Sequence, residues 1–338
     1  MTRARRWPWV LAALVVVVAG FWIAFRVPDI SVAALRAKYG GPPSQFVEVL
    51  PGLTVHLRDE GPRDAPVLVL LHGSNASLLD WQPWTDRLKG RYRIVRFDLP
   101  AHGLTGADPN NDYSTIASAR IVAAVVDRLG IRRFVLAGNS MGGGIAARFA
   151  VAYPDRLSGL ILVDAGGQPM QGERDIPLAF RIADTPLLRD MVASFTPRWL
   201  VANGVKGAVS VKSVMDDATI DRYWELLRYP GNRTATLQRF RQGYGSIAPA
   251  DLARIDAPVL ILWGREDRFI PVDSAAYFAS HLPHSRTIIY DGIGHLPMEE
   301  TPDRSAADVA AFIAGLGPTG QTPPDNAPSP APSARPAR

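Results

Sequence analysis

Residues 133–144 read RFVLAGNSMGGG. The apolar run Arg133 to Ala137 gives way to Gly138-Asn139-Ser140-Met141-Gly142, then to a helical pattern from Gly142 to Tyr153 that Pro154 stops. G-x-S-x-G between a strand and a helix is the setting of a nucleophile elbow. The sharp turn presses neighbouring backbone against Gly138 and Gly142, where a Cβ has no room, and aims the Ser140 hydroxyl out of the sheet. The plainer reading, a helix N-cap serine, does not call for glycine on both sides.

Outward from this stretch, short runs rich in Val, Ile and Leu alternate with longer helical patterns. Pro66 to Leu71, Arg93 to Phe97, Leu160 to Val163, Pro258 to Trp263 and Thr287 to Tyr290 join Arg133 to Ala137 as runs suited to strands buried on both faces of a parallel sheet. Thr115 to Leu129 traces an apolar helix face through Ile121, Val122, Val125 and Val126. Gln45 to Leu50, the turn Pro51-Gly52, and Leu53 to Glu60 read as a hairpin, giving an antiparallel edge. The class is therefore α/β, with a mostly parallel central sheet and helices on both faces.

From about Gln168 to Pro249 the alternation breaks. DTPLLRDMVASF, FTPRWLVANGV, TIDRYWELLRYPGN and NRTATLQRFRQGY look like short amphipathic helices divided by Pro and Gly. An insertion after Val163 projects from the carboxyl edge of the sheet, where open α/β folds bind ligands, and a lid is its natural reading. Phe195, Trp199, Leu200, Tyr223, Trp224, Leu226 and Leu227 either line an acyl pocket, face lipid, or pack the lid down. The organisation expected is 1–27 anchor, 28–167 and 251–316 core, 168–250 lid, 317–338 tail.

A serine nucleophile needs a base, and the base needs an acceptor that fixes its tautomer. Asp267, after the Pro258 to Trp263 run, and His295, after Thr287 to Tyr290, stand at strand carboxyl ends, and the order Ser140, Asp267, His295 suits this fold. Asp164, ending the preceding run, is the rival acid, more naturally a brace at the lid entrance. Glu266 lies one residue too early to share the direction of Asp267. His56, His102, His281 and His284 are read as structural, the last two near solvent at a helix end. A tetrahedral oxyanion needs two donors: the Met141 amide is one, and the loop His72-Gly73-Ser74-Asn75 supplies the other, best from Ser74, with His72 bracing the loop. Trp81 and Trp84 in LLDWQPW either line the pocket or pack a helix start.

The ends read differently. Trp7 to Phe25 carries no charge, is bounded by Arg3, Arg5 and Arg6 before it and Arg26 after it, and as a helix spans 19 × 1.5, about 28 Å, the hydrocarbon thickness of a bilayer. Trp7, Trp9, Phe21, Trp22 and Phe25 fall where an aromatic belt belongs, and the arginines before the span place the N-terminus in the cytoplasm and the catalytic domain outside it. Secretion after signal cleavage near Val17 and Ala19 is the competing reading, opposed by the aromatic-rich stretch beyond. Gly317 to Arg338 is Pro-rich with nothing to bury, a disordered tail.

Composition excludes several function classes. The 338 residues are 47% hydrophobic and 20% charged, globular values, with no cysteine, so disulfides, thiolate nucleophiles and Cys-held metals are excluded. The six histidines show no HExxH and no i, i+4 pair, and neither metal nor cofactor is expected. Net charge is +5, but the arginines are scattered, so a small-molecule ester or lipid is the expected partner and nucleic acid is not.

HGS at 72–74, FDLPAHGLTG at 97–106, GNSMGG at 138–143, GREDRFIP at 264–271 and GHLPMEE at 294–300 together resemble the α/β-hydrolase superfamily. The closest pattern is the lidded branch of serine esterases, monoacylglycerol lipases and carbon–carbon bond hydrolases. The resemblance covers roughly 45–165 and 250–316 and implies the triad, oxyanion residues and lid at the positions named; with the N-terminal span it looks like membrane-tethered monoacylglycerol lipases. Ser140 stands where haloalkane dehalogenases and epoxide hydrolases place aspartate, which disfavours both. Meta-cleavage-product hydrolases share GNSMGG, but Leu296 follows the histidine where they usually carry an aromatic residue. Cofactor-free perhydrolases keep the same triad. The expectation is a serine hydrolase forming an acyl-enzyme on Ser140, with a C–C hydrolase or perhydrolase as the enzymatic alternatives. A tethered binding module is the non-enzymatic one, and it has no need of nucleophile, acid, base and oxyanion donors together.

Overall fold

Pleating explains why the apolar runs are continuous rather than alternating: successive side chains of a strand face opposite ways, so a strand covered on both sides must be apolar throughout. In the computed structural model, which describes residues 7–169, 193–243 and 245–317, Val69 and Leu71 of one strand enter one core while Leu68 and Leu70 enter the other. The strands are β1 (Ser44–Leu50), β2 (Leu53–Glu60), β3 (Val67–Leu71), β4 (Arg93–Phe97), β5 (Phe134–Asn139), β6 (Leu157–Val163), β7 (Val259–Gly264) and β8 (Ser285–Tyr290). They form one eight-stranded sheet in the order β1-β2-β4-β3-β5-β6-β7-β8. Pairs β1–β2 and β2–β4 are antiparallel and all others parallel, so the hairpin forms the expected antiparallel edge.

Helices cover both faces. On one side α4 (Thr115–Arg128) and α5 (Met141–Ala152) bury Ile121, Val125, Ile145 and Phe149 with the Asp273–His281 helix. On the other, α3 (Gln82–Leu88) and the Pro302–Gly315 helix bury Trp84, Leu88, Val309 and Ile313. Each fully buried Leu, Val or Phe contributes roughly 1.5–3 kcal/mol. Trp81 and Trp84 are wholly buried in this second core, their rings 4.9 Å apart, and Trp84 Nε1 donates to Ser305 Oγ at 2.8 Å. They pack a helix start and do not line the pocket, because the β3–α3 connection turns them under the sheet.

Between β6 and β7 the insertion supplies helices Arg198–Ala208, Asp217–Leu227 and Asn232–Gln242. Three of the four expected segments are thus helical; most of DTPLLRDMVASF lies outside the described residues, as do 318–338 of the tail and Met1–Arg6. Asp216 caps the middle helix by accepting from the Thr219 amide at 2.8 Å. Below the insertion, Arg222 reaches Glu299 at 2.8 Å and Asp80 at 3.5 Å, and Tyr223 donates its hydroxyl to Asp80 at 2.7 Å. The apolar helix α1 (Trp7–Phe25) is solvent-facing almost throughout and ends at Phe25 as expected, and the short α2 (Val32–Tyr39) follows it. Its end is stitched to the insertion: Trp22 Nε1 donates to Ser194 Oγ at 2.7 Å, Val27 N to Ser194 O at 2.8 Å, and Arg233 to Val27 O and the Asp29 carboxylate.

Candidate active site

β5 runs on to Asn139 and α5 starts at Met141, which leaves Ser140 alone at the corner. Its φ of 54° and ψ of −118° are strained for a residue with a Cβ. Two hydrogen-bond sets hold the strain: Ser140 N donates to Val163 O at 3.0 Å, and Ser140 O accepts from the Gly143, Gly144 and Gly166 amides. The flanking glycines are required sterically, since a Cβ on Gly138 would lie 2.1 Å from Gly142 O and one on Gly142 2.3 Å from Leu71 O. Ser140 makes no side-chain cap, so the N-cap reading of its hydroxyl fails.

The fold brings His295 and Asp267 together. His295 Nδ1 lies 2.6 Å from Asp267 Oδ2, with both residues buried. Asp267 is aimed by its own loop, its Oδ1 accepting from the Phe269 and Ile270 amides at 2.7 and 3.1 Å. Glu266 points outward and is exposed. The His295 loop is fixed by Glu300, whose carboxylate accepts from the Gly294 and Leu296 amides and, across in the insertion, from Ser210 and Val211. Nothing in the spacing GHLPMEE marks Glu300 for this task. Asn139 donates its amide group to His295 O at 3.0 Å and Val163 O at 3.2 Å, tying the corner to the histidine loop.

Asp164 is fully buried just after β6, where the insertion departs, with φ +44°, and Oδ1 accepts from Gly264 N at 2.9 Å. It lies within 4.8 Å of the Asp267 carboxylate. Burial and the neighbouring Asp267 carboxylate push its carboxyl well above the usual value. Among the described residues Asp164, Asp267 and His295 are the one trio whose donor atoms, all within 4.8 Å, could face a metal ion. The 2.6 Å His295–Asp267 contact does not fit one: a zinc bonding both at ~2.0–2.2 Å would hold the two donors about 3 Å or more apart.

His72 is buried beneath the second loop. Its Nε2 accepts from Leu99 N at 3.0 Å, which puts the proton on Nδ1, and Nδ1 donates to Gly73 O at 2.7 Å. Burial holds its ring below the ordinary imidazole value, so it is a neutral brace, as expected. Met141 opens α5, so its amide belongs to the helix turn that lacks intrahelical acceptors. One residue unseen in the sequence joins the two oxyanion candidates: Arg239, buried on the Asn232–Gln242 helix, donates to Ser74 Oγ at 2.7 Å and Met141 Sδ at 3.2 Å. His56 pairs with Asp98 at 2.6 Å and His102 Nδ1 donates to Pro100 O at 2.9 Å, both buried and structural. His284 is exposed, whereas His281 is half-buried against Tyr277 O.

Ser140, Met141, Ser74 and His295 all border one cavity of about 1730 Å³ roofed by the insertion. Phe195, Leu200, Tyr223 and Leu227 line it; Leu226 is buried in packing, and Trp199 is 60% exposed. A serine on a strained corner, an imidazole held by a carboxylate, and amides at a helix start can together perform nucleophilic substitution at a carbonyl.

The likeness to known proteins agrees with this geometry. The 2-hydroxy-6-oxononadienedioate/2-hydroxy-6-oxononatrienedioate hydrolase of Klebsiella pneumoniae is 28% identical over 286 residues, covering 80% of this chain and 96% of that protein. A bacterial membrane phospholipase A superposes with a TM-score of 0.69 at 26% identity, over 92% of this chain and 99% of its own. A meta-cleavage product hydrolase from Pseudomonas fluorescens gives 0.69 at 21% identity, over 81% and 98%, which bears on fold alone. The family model for the alpha/beta hydrolase fold matches residues 66–302, the whole span from β3 to the histidine loop, and the chain belongs to that family.

Proposed function

We propose that this hydrolase cleaves a carboxylic ester of a lipid-like substrate through an acyl-enzyme on Ser140. The observation that carries the reading is the corner itself: Ser140 held at a strained φ, on the wall of a large cavity it shares with the His295–Asp267 pair. Ser140 Oγ attacks the ester carbonyl as His295 takes its proton, and the oxyanion is received by the Met141 and Ser74 amides. The leaving alcohol departs with the proton from His295. Water, activated by the same imidazole, then frees the acid and regenerates Ser140. Asp267 keeps the proton of neutral His295 on Nδ1 and steadies the imidazolium.

Lipid is favoured over a small polar ester because the cavity walls are mainly apolar side chains and α1 is long and apolar enough to cross a bilayer. In this reading α1 is a single-pass anchor with the catalytic domain on the extracytoplasmic side, and the insertion is a lid. The likeness to the membrane phospholipase A supports it. A second reading, carbon–carbon cleavage of a ring-fission product, is favoured by the Klebsiella relative, whose similarity runs over nearly its full length.

One experiment separates them. Purified full-length protein is titrated with a fluorophosphonate and assayed on p-nitrophenyl esters, monoacylglycerol in vesicles and a 2-hydroxy-6-oxo-dienoate. Turnover of both esters and not of the dienoate is expected. Turnover of the dienoate alone moves the chain to the second reading.

A further inference from the structure

Two carboxyl groups buried within 4.8 Å of each other repel when both are ionised, which favours a proton on one of them. Asp267 has its needs met: Oδ1 receives two backbone amides and Oδ2 receives the His295 Nδ1–H. Those are three donors onto its two oxygens. Asp164 is served differently. Its Oδ1 accepts from Gly264 N, while Oδ2, buried at the same depth, has no donor. A bare buried carboxylate oxygen is costly, and a protonated one is itself a donor looking for an acceptor. The Asp267 carboxylate, within 4.8 Å, is the acceptor that Asp164 faces.

We propose that Asp164 is a positioning residue that carries a proton on Oδ2 and donates it to the Asp267 carboxylate, so that the pair presents one negative charge to His295. The inference rests on the triad reading given above and deepens it. In consequence Asp267 is held from four sides, two backbone amides, one imidazole and one carboxylic acid, and cannot rotate away from Nδ1 when Ser140 gives up its proton.

The surroundings agree on the direction. Burial first, then Asp267 and Glu300, oppose ionisation of Asp164, the Gly264 amide favours it, and Tyr290 and His295 are the other titratable groups beside the pair among the described residues. Loss of the Asp164 proton at high pH sets a second charge against Asp267 and breaks the brace, so kcat/KM falls on the alkaline side.

The test uses full-length protein, with rates per active site titrated by fluorophosphonate. Asp164→Asn keeps a carbonyl for Gly264 N and an amide donor for Asp267, and asparagine tolerates the positive φ of this position. It retains kcat within about tenfold of wild type and loses the alkaline fall. Asp164→Ala, which removes the donor, drops kcat at least about tenfold below Asp164→Asn with KM unchanged, its folding checked by Tm. Equal kcat in the Asn and Ala variants, the same alkaline profile in wild type and Asp164→Asn, or a loss of about 10³-fold or more in Asp164→Asn each overturns the proposal. Asp267→Asn is the control for the reading beneath it: its activity surviving while Asp164→Asn is dead means that the acid itself was misassigned.

Discussion

The carboxyl edge of the sheet and the insertion above it border the same cavity but are held by different forces. At the edge, backbone hydrogen bonds do the pinning: Ser140 and Asp164 are held by strands whose side chains are almost wholly buried, and Asp267 by the amides of its own loop. Among the described residues of the insertion, side-chain ion pairs do much of the holding: Arg222 to Glu299 and Asp80 and Lys38 to Glu225 tie it to the rest of the chain, and Arg198 to Asp217 and Asp221 ties two of its helices together. A region fixed by its backbone keeps its geometry when a surface side chain changes. One fixed by charge pairs responds to mutation, salt and pH, which suits a cover that must admit substrate.

The largest effect expected is at the edge. Ser140→Ala lowers kcat by about 10³-fold or more and abolishes fluorophosphonate labelling, yet leaves Tm essentially unchanged because the backbone network does not involve the hydroxyl. A large fall in Tm would show that the corner depends on its side chain after all. Next comes the cation under the insertion: Arg222→Ala strands two buried carboxyls and destabilises by about 3–5 kcal/mol, read from urea unfolding. A change below about 1 kcal/mol would mean that ion pairs do not hold this region.

A smaller effect is pH-linked. Burial and the nearby Asp80 push the Glu299 carboxyl up to about 8, despite Arg222. The folded protein therefore binds a proton that the unfolded chain has already released above the ordinary glutamate value, about 4.3. This stabilisation is full below that value and is lost as pH rises through about 8. Tm should decline over that window in wild type and be flatter in Glu299→Gln; equal slopes would put the dependence elsewhere. The smallest effect is at Trp199, 60% exposed on the insertion, where Trp199→Ser changes stability by no more than about 0.5 kcal/mol. A larger loss would show that this aromatic packs the insertion down.

The same division explains what the sequence disclosed. The strands, the elbow and the Asp267 and His295 positions were legible because each rests on a local pattern: an apolar run, a Gly-flanked serine, a strand carboxyl end. α1 was legible too, being an uncharged run closed by Arg26. What escaped was set by contacts distant in sequence. Arg239 reaches Ser74 across 165 positions, Trp84 finds Ser305 across 221, and Asp164 lies within 4.8 Å of the Asp267 carboxylate. Periodicity carries no trace of such partners. Trp81 and Trp84 were ambiguous for the same reason, since an aromatic beside a loop packs or binds according to which way the loop turns.

The stitching of α1 to the insertion has a geometrical consequence. Only Arg26 separates the end of α1 from Val27, the first backbone donor to Ser194, so the hydrolase is on a mount and not on a leash. If α1 crosses a bilayer, the cavity sits at a fixed height above it. Inserted residues between Phe25 and Val27 would then act as a ruler, each adding up to about 3.6 Å of reach, and the substrate depth the enzyme can sample would be read off their number.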